Sequence, residues 1–66
     1  MTIQVNGSAR TAPAALTVRA LLEELELGHK PVVVELNRHA LFPREHAQQE
    51  LKDGDVVEIV QITAGG

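Results

Sequence analysis

The sequence predicts an α+β domain, a mixed sheet of four to five strands with one helix packed across one face. Three observations favour this class. An alternating stretch precedes the turn signal Asn6-Gly7, an amphipathic stripe follows Thr17, and β-branched runs occupy 32–36 and 56–63. A helix with one apolar stripe and a sheet with one apolar face bury both surfaces when they pack as two layers.

Length and composition restrict the possible classes. With 66 residues, the chain is expected to form one domain, residues 1–66. It has no cysteine, so it offers neither a disulfide nor a thiol nucleophile. Phe42 is the one aromatic residue, and the net charge is −3. The core is therefore aliphatic, and we expect no nucleic-acid partner, because base-stacking platforms are missing and phosphates are repelled.

The start of the chain and its hydropathy pattern predict a location. The chain opens with neither a basic region nor an apolar run, so no signal peptide is expected. No apolar stretch approaches the length that crosses a membrane. We therefore expect a cytoplasmic protein without a membrane partner.

The first elements form a predicted β-hairpin. Residues 2–5 alternate polar and apolar side chains, which is the period of a half-buried strand. Asn6-Gly7 favours a type I′ turn, because both central positions of that turn need a positive φ. Residues 8–11 then return as a short antiparallel strand at the edge of the sheet.

A helix is predicted after the hairpin. Thr17 can cap it, because a threonine hydroxyl accepts a backbone N–H of the first turn. Gly28 lies where a helix ends in a left-handed residue, and Pro31 prevents the helix from resuming. Leu27 is expected to fold back over the last turn. The apolar stripe has the spacing i, i+3, i+4, i+7 and consists of Val18, Leu21, Leu22 and Leu25.

The clearest strand is predicted at 32–36, which is dense in β-branched residues. Glu35 must face water, so Val34 and Leu36 face the core and Val33 is left exposed. A turn at Asn37-Arg38, where asparagine tolerates left-handed geometry, precedes a brief strand at 41–42. Residues 44–50 are polar and are expected to include a short helical turn.

Leu51 is expected in the core, followed by a turn at 52–55. Residues 56–63 form the last predicted strand, and Glu58 sets its phase, because Val57 and Ile59 must then point inward. The opposite face carries the predicted partner-binding residues, Val56, Glu58, Val60 and Ile62, since exposed apolar patches on small domains often mark partner sites. A neighbouring loop covering Val60 and Ile62 is the alternative. The predicted core is Ile3, Val5, Val18, Leu21, Leu22, Leu25, Val34, Leu36, Leu51, Val57 and Ile59.

The last residues, Ala64, Gly65 and Gly66, are predicted to form a flexible tail. Glycine has no Cβ, so the diglycine can enter a narrow slot in another protein. A terminal carboxylate there would become an acyl donor once it is joined to a nucleotide phosphate. The dipeptide alone is equally compatible with an accidental flexible end, because a two-residue match is weak.

No catalytic or metal site is expected on this chain. His29, His39 and His46 match no metal-ligand spacing, and we interpret all three as surface residues. Asp53 and Asp55 flank a glycine, but two acids in one turn fall far short of a calcium loop. The chain is therefore not expected to be an enzyme.

The order of elements allows the first and last strands to pair, which is the β-grasp arrangement. Several segments carry a resemblance that runs from end to end of the chain. They are Ile3-Gln4-Val5-Asn6-Gly7, Thr17-Val18 before Leu21-Leu22, 32–37, Pro43-Arg44, 51–55, 57–60 and Gly65-Gly66. Together they make the chain resemble the sulfur carrier family of thiamin biosynthesis, ThiS. Arg38 and Ala64 depart from it, since members often have glycine at these positions.

The resemblance implies a ubiquitin-like β-grasp fold and a carrier cycle. A ubiquitin-activating-like adenylyltransferase would adenylate the Gly66 carboxylate. A sulfurtransferase or cysteine desulfurase system would then convert it to a thiocarboxylate, and thiazole synthase would receive the sulfur. No cofactor is expected on the chain itself, because ATP and Mg²⁺ are used by the activating partner.

Three other functions share features of this sequence. The small sulfur-carrying subunit of molybdopterin synthase would have the same fold and tail chemistry, but such subunits tend to be longer and more aromatic near the tail. A ubiquitin-like protein modifier would join Gly66 to a lysine of another protein. An interaction domain without covalent chemistry would be indifferent to loss of the diglycine.

Overall fold

The computed structural model describes residues 1–63, so the predicted flexible tail at 64–66 lies outside the described residues. Within that part, the elements follow the predicted order. They are β1 (Thr2–Val5), β2 (Ser8–Thr11), α1 (Val18–Glu24), β3 (Val32–Leu36), β4 (His39–Leu41), a 3₁₀ turn (Pro43–Glu45) and β5 (Val56–Gln61). The brief strand predicted at 41–42 thus begins two residues earlier, at His39.

The sheet has the strand order β2-β1-β5-β3-β4. The first and last strands, β1 and β5, pair in parallel at its centre. The β1–β2, β3–β4 and β3–β5 pairs are antiparallel, so the sheet is mixed. The predicted β-grasp arrangement, five strands with one helix across one face, is confirmed.

The core lies between α1 and the inner face of the sheet. Ile3, Val18, Leu21, Val34 and Val57 are the largest fully buried side chains. The other predicted core residues that are buried are Leu22, Leu51 and Ile59. Those that are only half-buried and pack against the rim of the core are Val5, Leu25 and Leu36. Two buried residues outside the prediction, Ala12 and Leu16, lie in the loop before α1, where no periodicity marks them.

The start of α1 is as predicted, but its end is not. Thr17 Oγ1 accepts a hydrogen bond from Ala20 N at 3.1 Å. The helix ends at Glu24, and the left-handed residue is Glu26, with φ 61°, rather than Gly28. Leu27 N donates to Leu22 O at 2.7 Å, which closes the Schellman pattern typical of helix ends. Leu27 is half-buried and packs against the core, and the left-handed position falls on a glutamate despite the usual preference for glycine.

Both hairpin turns have the predicted left-handed geometry. Asn6 and Gly7 have φ of 50° and 83°, and Asn37 and Arg38 have φ of 50° and 72°. Arg38 therefore holds a conformation that is unusual for a residue with a Cβ. The register of the β3–β4 hairpin, Leu36 opposite His39, requires this geometry at the turn.

Asn6 also extends the sheet in a way that the sequence did not reveal. Its N–H donates to Val57 O at 2.9 Å, after which the chain turns away from β5. The side-chain amide then takes the place of the missing backbone, because Asn6 Oδ1 accepts from Ile59 N at 2.7 Å and Nδ2 donates to Ile59 O at 3.2 Å.

Asn37 makes a similar arrangement on the other side of β5. Its N–H donates to Val56 O at 2.8 Å, and its Oδ1 accepts from Val56 N at 2.9 Å. Asp55 Oδ1 accepts from Asn37 Nδ2 at 3.1 Å, while Asp53 Oδ1 accepts from Thr2 N at 2.7 Å. The two aspartates thus connect the turn that was predicted at 52–55 to Asn37 and to β1.

His46 is a correction to the sequence analysis, which interpreted it as a surface residue. It is buried, because the segment after the 3₁₀ turn packs on the start of α1. Arg19 N donates to His46 O, and Val18 N donates to Gln49 O, each at 2.9 Å. Burial lowers the pKa of His46, an effect partly opposed by the charge of Glu45. His29 and His39 are exposed, as predicted.

We predict that Asn6→Gly destabilises the protein by about 1–3 kcal/mol, because it leaves the Ile59 backbone groups without their partners while keeping the left-handed turn. Urea denaturation followed by circular dichroism measures the change. Ser8→Gly, in the same hairpin but at an exposed position, is the control and should cost much less. Equal stability of Asn6→Gly and the unsubstituted protein would contradict this role.

We also predict that stability falls as the pH drops below about 6.5. The pKa of His46 is lowered in the folded state, so the unfolded chain binds more protons in this range and acid favours unfolding. Above that range both states are neutral at His46, and the effect vanishes. In urea titrations at several pH values, His46→Gln should reduce the pH dependence and His29→Gln should retain it. An unchanged dependence in His46→Gln would refute the assignment.

Candidate functional site

The strand that leads to the predicted reactive tail is the central strand of the sheet. β5 pairs with β1 on one side and with β3 on the other. The pairing continues past its end, because Ile62 N donates to Pro31 O at 2.9 Å. The described chain stops one residue later, at Thr63. Ala64, Gly65 and Gly66, the predicted reactive segment, therefore follow a firmly held base, although they lie outside the described residues.

The face of the sheet that points away from α1, the outer face, carries an apolar patch. Val33 and Val60 lie directly opposite each other on β3 and β5 and are 41% and 62% exposed. Val56 and Ile62 are also exposed, so no loop within residues 1–63 covers the predicted patch. The exposure of these residues is as predicted, while partner binding by them stays a prediction.

Val33 belongs to this patch but was not among the predicted partner-binding residues. The sequence indicated that it was exposed, because Val34 has to face the core. Its position beside Val60 depends on the register of β3 and β5, which the two strand sequences do not determine. The position of Val33 beside Val60 could not be predicted, because no sequence motif specifies how β3 and β5 are aligned.

Two carboxylates lie beside the valines on the outer face. Glu35 and Glu58 are direct cross-strand partners, and both are exposed. Like charges at such positions disfavour the pairing. Among residues 1–63, neither carboxylate forms an ion pair, so the predicted site residue Glu58 gives the face a concentrated negative charge next to its apolar patch.

A cleft of about 520 Å³ opens on the other side of the sheet, next to the base of the tail. We call it the helix-end cleft, and its lining includes Arg19, Leu22, Leu27, Lys30, Val32 and Ile62. The buried His46 forms part of the same wall, and its Nε2 has no hydrogen-bond partner among the described residues. Ile62 thus connects the predicted partner-binding set to a concave site that the sequence analysis did not predict.

The described part of the chain contains neither a cluster of metal ligands nor a membrane-spanning helix. Within residues 1–63, no group of histidine, aspartate or glutamate side chains is arranged to hold a metal ion. No described helix has the length and hydrophobicity to cross a membrane. Apolar patches and charged groups next to a chain end can orient that end in a partner.

Comparison with known proteins agrees with this arrangement. The model of the ThiS family matches residues 3–66. A sulfur carrier protein ThiS from Thermus thermophilus is 38% identical over 64 residues, which cover 97% of this chain and 98% of that protein. The crystal structure of a ThiS thiamine biosynthesis protein from Geobacter metallireducens superposes with a TM-score of 0.85 at 35% identity, with complete coverage of both chains.

A larger protein is also similar to the chain. A thiazole synthase from Paramagnetospirillum magneticum is 39% identical over 66 residues, which cover all of this chain but only 20% of that protein. The family match and the full-length similarity to small carriers confirm the resemblance seen in the sequence. The chain belongs to the ThiS family, the sulfur carrier proteins of thiamin biosynthesis.

Proposed function

We propose that the chain carries sulfur as a thiocarboxylate on Gly66 and that the reactions take place in the active sites of its partners. One observation carries the proposal. β5 pairs with a strand on each side, its pairing continues past its end through the hydrogen bond of Ile62 N to Pro31 O, and Gly65-Gly66 follow a few residues later. A firm base limits where the tail can reach, while two residues without Cβ atoms give it access to deep sites.

The proposed reaction has two steps. A Gly66 carboxylate oxygen attacks the α-phosphate of ATP in the adenylyltransferase, and pyrophosphate leaves with Mg²⁺. The resulting acyl adenylate is electrophilic, whereas a free carboxylate is not. A sulfide equivalent from the sulfurtransferase or cysteine desulfurase system then attacks the carbonyl carbon and releases AMP. The net change is the exchange of one oxygen for one sulfur.

Thiazole synthase is the proposed acceptor of this sulfur. The similarity of this whole chain to one fifth of a protein named thiazole synthase supports the assignment, because carrier and synthase parts joined in one chain are expected to work together. The use of ATP supports a cytoplasmic location. The proposed cycle needs no cofactor bound to the carrier itself.

The outer face is the proposed docking surface for the adenylyltransferase. The exposed Val60 and its neighbour Val33 supply apolar area. Val56 and Glu58 extend the surface toward the start of β5, and Ile62 extends it toward the tail. An apolar patch beside the tail lets a partner hold the body of the carrier while the diglycine enters its active site. Productive reaction needs the reacting atoms held at about 3–3.5 Å, and docking of the body provides that restraint.

We predict that incubation with the adenylyltransferase, MgATP and a sulfur source converts the Gly66 carboxylate to a thiocarboxylate. Intact mass spectrometry should show the replacement of one oxygen by one sulfur, localised to the C-terminal peptide. Deletion of Gly66 should abolish the change, because the carboxylate then lies one residue short of the α-phosphate. The circular dichroism spectrum of the deletion variant should match that of the full chain.

Other outcomes of the same experiment distinguish the alternatives. A conjugate with a lysine of another protein would favour a ubiquitin-like modifier. Sulfur transfer to a molybdopterin precursor, with none to thiazole synthase, would favour the molybdopterin synthase subunit. No change of mass with any combination of ATP and partners would exclude the carrier cycle.

We predict that Val60→Asp weakens binding to the adenylyltransferase by about 2 kcal/mol, as expected for a central residue of an interface. The valine is 62% exposed, so folding should change little. Isothermal titration calorimetry measures the affinity, and Ala14→Asp, an exposed position in the loop before α1, supplies the same charge away from the outer face. Equal losses in the two variants would contradict docking through the outer face.

A further inference from the structure

The helix-end cleft combines an apolar lining with positive charge. Leu22, Leu27 and Val32 line it together with Ile62. Its charged lining residues are Arg19 and Lys30, and no carboxylate among residues 1–63 belongs to the lining. This concentration of cations stands out in a chain whose net charge is −3.

The cations of the cleft are available for a ligand. Arg19 and Lys30 are exposed, and the one ion pair within residues 1–63 joins Arg10 to Glu24. Lys30 also borders a neighbouring hollow with Glu23 and Glu26, yet it forms no ion pair with either among the described residues. Both cationic groups can therefore bind an anion without breaking an existing salt bridge.

The cleft is also rigidly framed. The backbone of Arg19 is tied to His46 O at 2.9 Å, Lys30 N donates to Leu27 O at 3.1 Å, and Ile62 N donates to Pro31 O at 2.9 Å. Three walls from different parts of the chain are thus fixed by backbone hydrogen bonds. The site is largely formed before a ligand binds, so binding costs less conformational entropy of the protein.

We propose that the helix-end cleft is a second docking site that binds an acidic segment of a protein partner. An apolar side chain of the segment lies against Leu22, Leu27 and Val32, and an adjacent carboxylate is bound by Arg19 and Lys30. Charge complementarity and the apolar lining select this occupant. Identification of the partner as one that acts on the tail rests on the proposed function, because Ile62 links the cleft to the base of the tail.

The cleft and the outer face would hold the carrier from two sides. The outer face offers valines beside carboxylates, whereas the cleft offers apolar side chains beside cations. A partner that occupies both sites must present opposite charges to the two sides of the sheet. Such a requirement favours one orientation of the carrier, since reversed docking would place like charges together.

A small-molecule probe tests the chemistry of the cleft without any partner. Hexanoate has the proposed combination of apolar chain and carboxylate, and hexylammonium has the same chain with the opposite charge. In ¹H–¹⁵N spectra of the full chain, hexanoate should cause saturable shifts of the Arg19, Leu27 and Lys30 amides, and hexylammonium should not. No shifts with hexanoate, or equal shifts with both probes, would overturn the proposal.

Matched variants locate the binding. Arg19→Gln with Lys30→Gln should abolish the hexanoate shifts. Arg38→Gln with Lys52→Gln removes the same charge at the opposite end of β3 and β5 and should retain them. Dispersed spectra show that each variant is folded. Loss of binding in both double variants would overturn the site, because it would then reflect net charge alone.

Affinity for the adenylyltransferase separates this proposal from the carrier function. The cleft variant should bind about tenfold more weakly at low salt, as expected from two lost surface charge contacts, and the control variant should bind like the unsubstituted chain. If the unsubstituted chain forms a thiocarboxylate while both variants bind equally well, the cleft as a partner site is overturned and the carrier function stands. If no thiocarboxylate forms at all, the carrier function fails, and the hexanoate titration still decides the cleft.

Discussion

The position of β5 at the centre of the sheet is the constraint on which the rest of the structure depends. A strand between two partners can leave the sheet only if both ladders break. Asn6 and Asn37 strengthen this position by extending hydrogen bonding to Ile59 and Val56 beyond the ordinary pairing. Because the tail follows β5, the same interactions that hold the fold together also hold the origin of the tail.

The two sides of the sheet differ in charge, and the difference follows from the packing. The inner face of β5 is committed to the core through Val57 and Ile59, so its one charged residue, Glu58, falls on the outer face. There Glu58 meets Glu35 across the strands. The cations of the cleft come instead from α1 and from the loop that leads into β3. The two sides of the sheet therefore differ in charge because different elements supply their charged residues.

Local signals in the sequence predicted most of the fold, and failures occurred where a distant contact outweighs a local preference. Asn6-Gly7 and Thr17 have one dominant geometry each, so the hairpin and the helix start were predictable. Gly28 was a reasonable place for the helix end, but Leu27 packs on the core and the left-handed position falls two residues earlier, at Glu26. His46 lies in a polar segment, and its burial depends on the docking of that segment against α1.

The same reasoning explains which parts of the candidate site were predictable. The phase of β5 followed from Glu58 alone, because a carboxylate cannot point into an aliphatic core without a partner. The cleft is lined by three separate segments of the chain, and no sequence motif spans them.

The carboxylates of Glu35 and Glu58, which lie beside Val33 and Val60, affect what the outer face can bind. Exposed valines favour contact between two copies of the outer face, whereas the facing carboxylates would repel each other. Under the proposed docking, the apolar area is therefore left open to a partner of different charge.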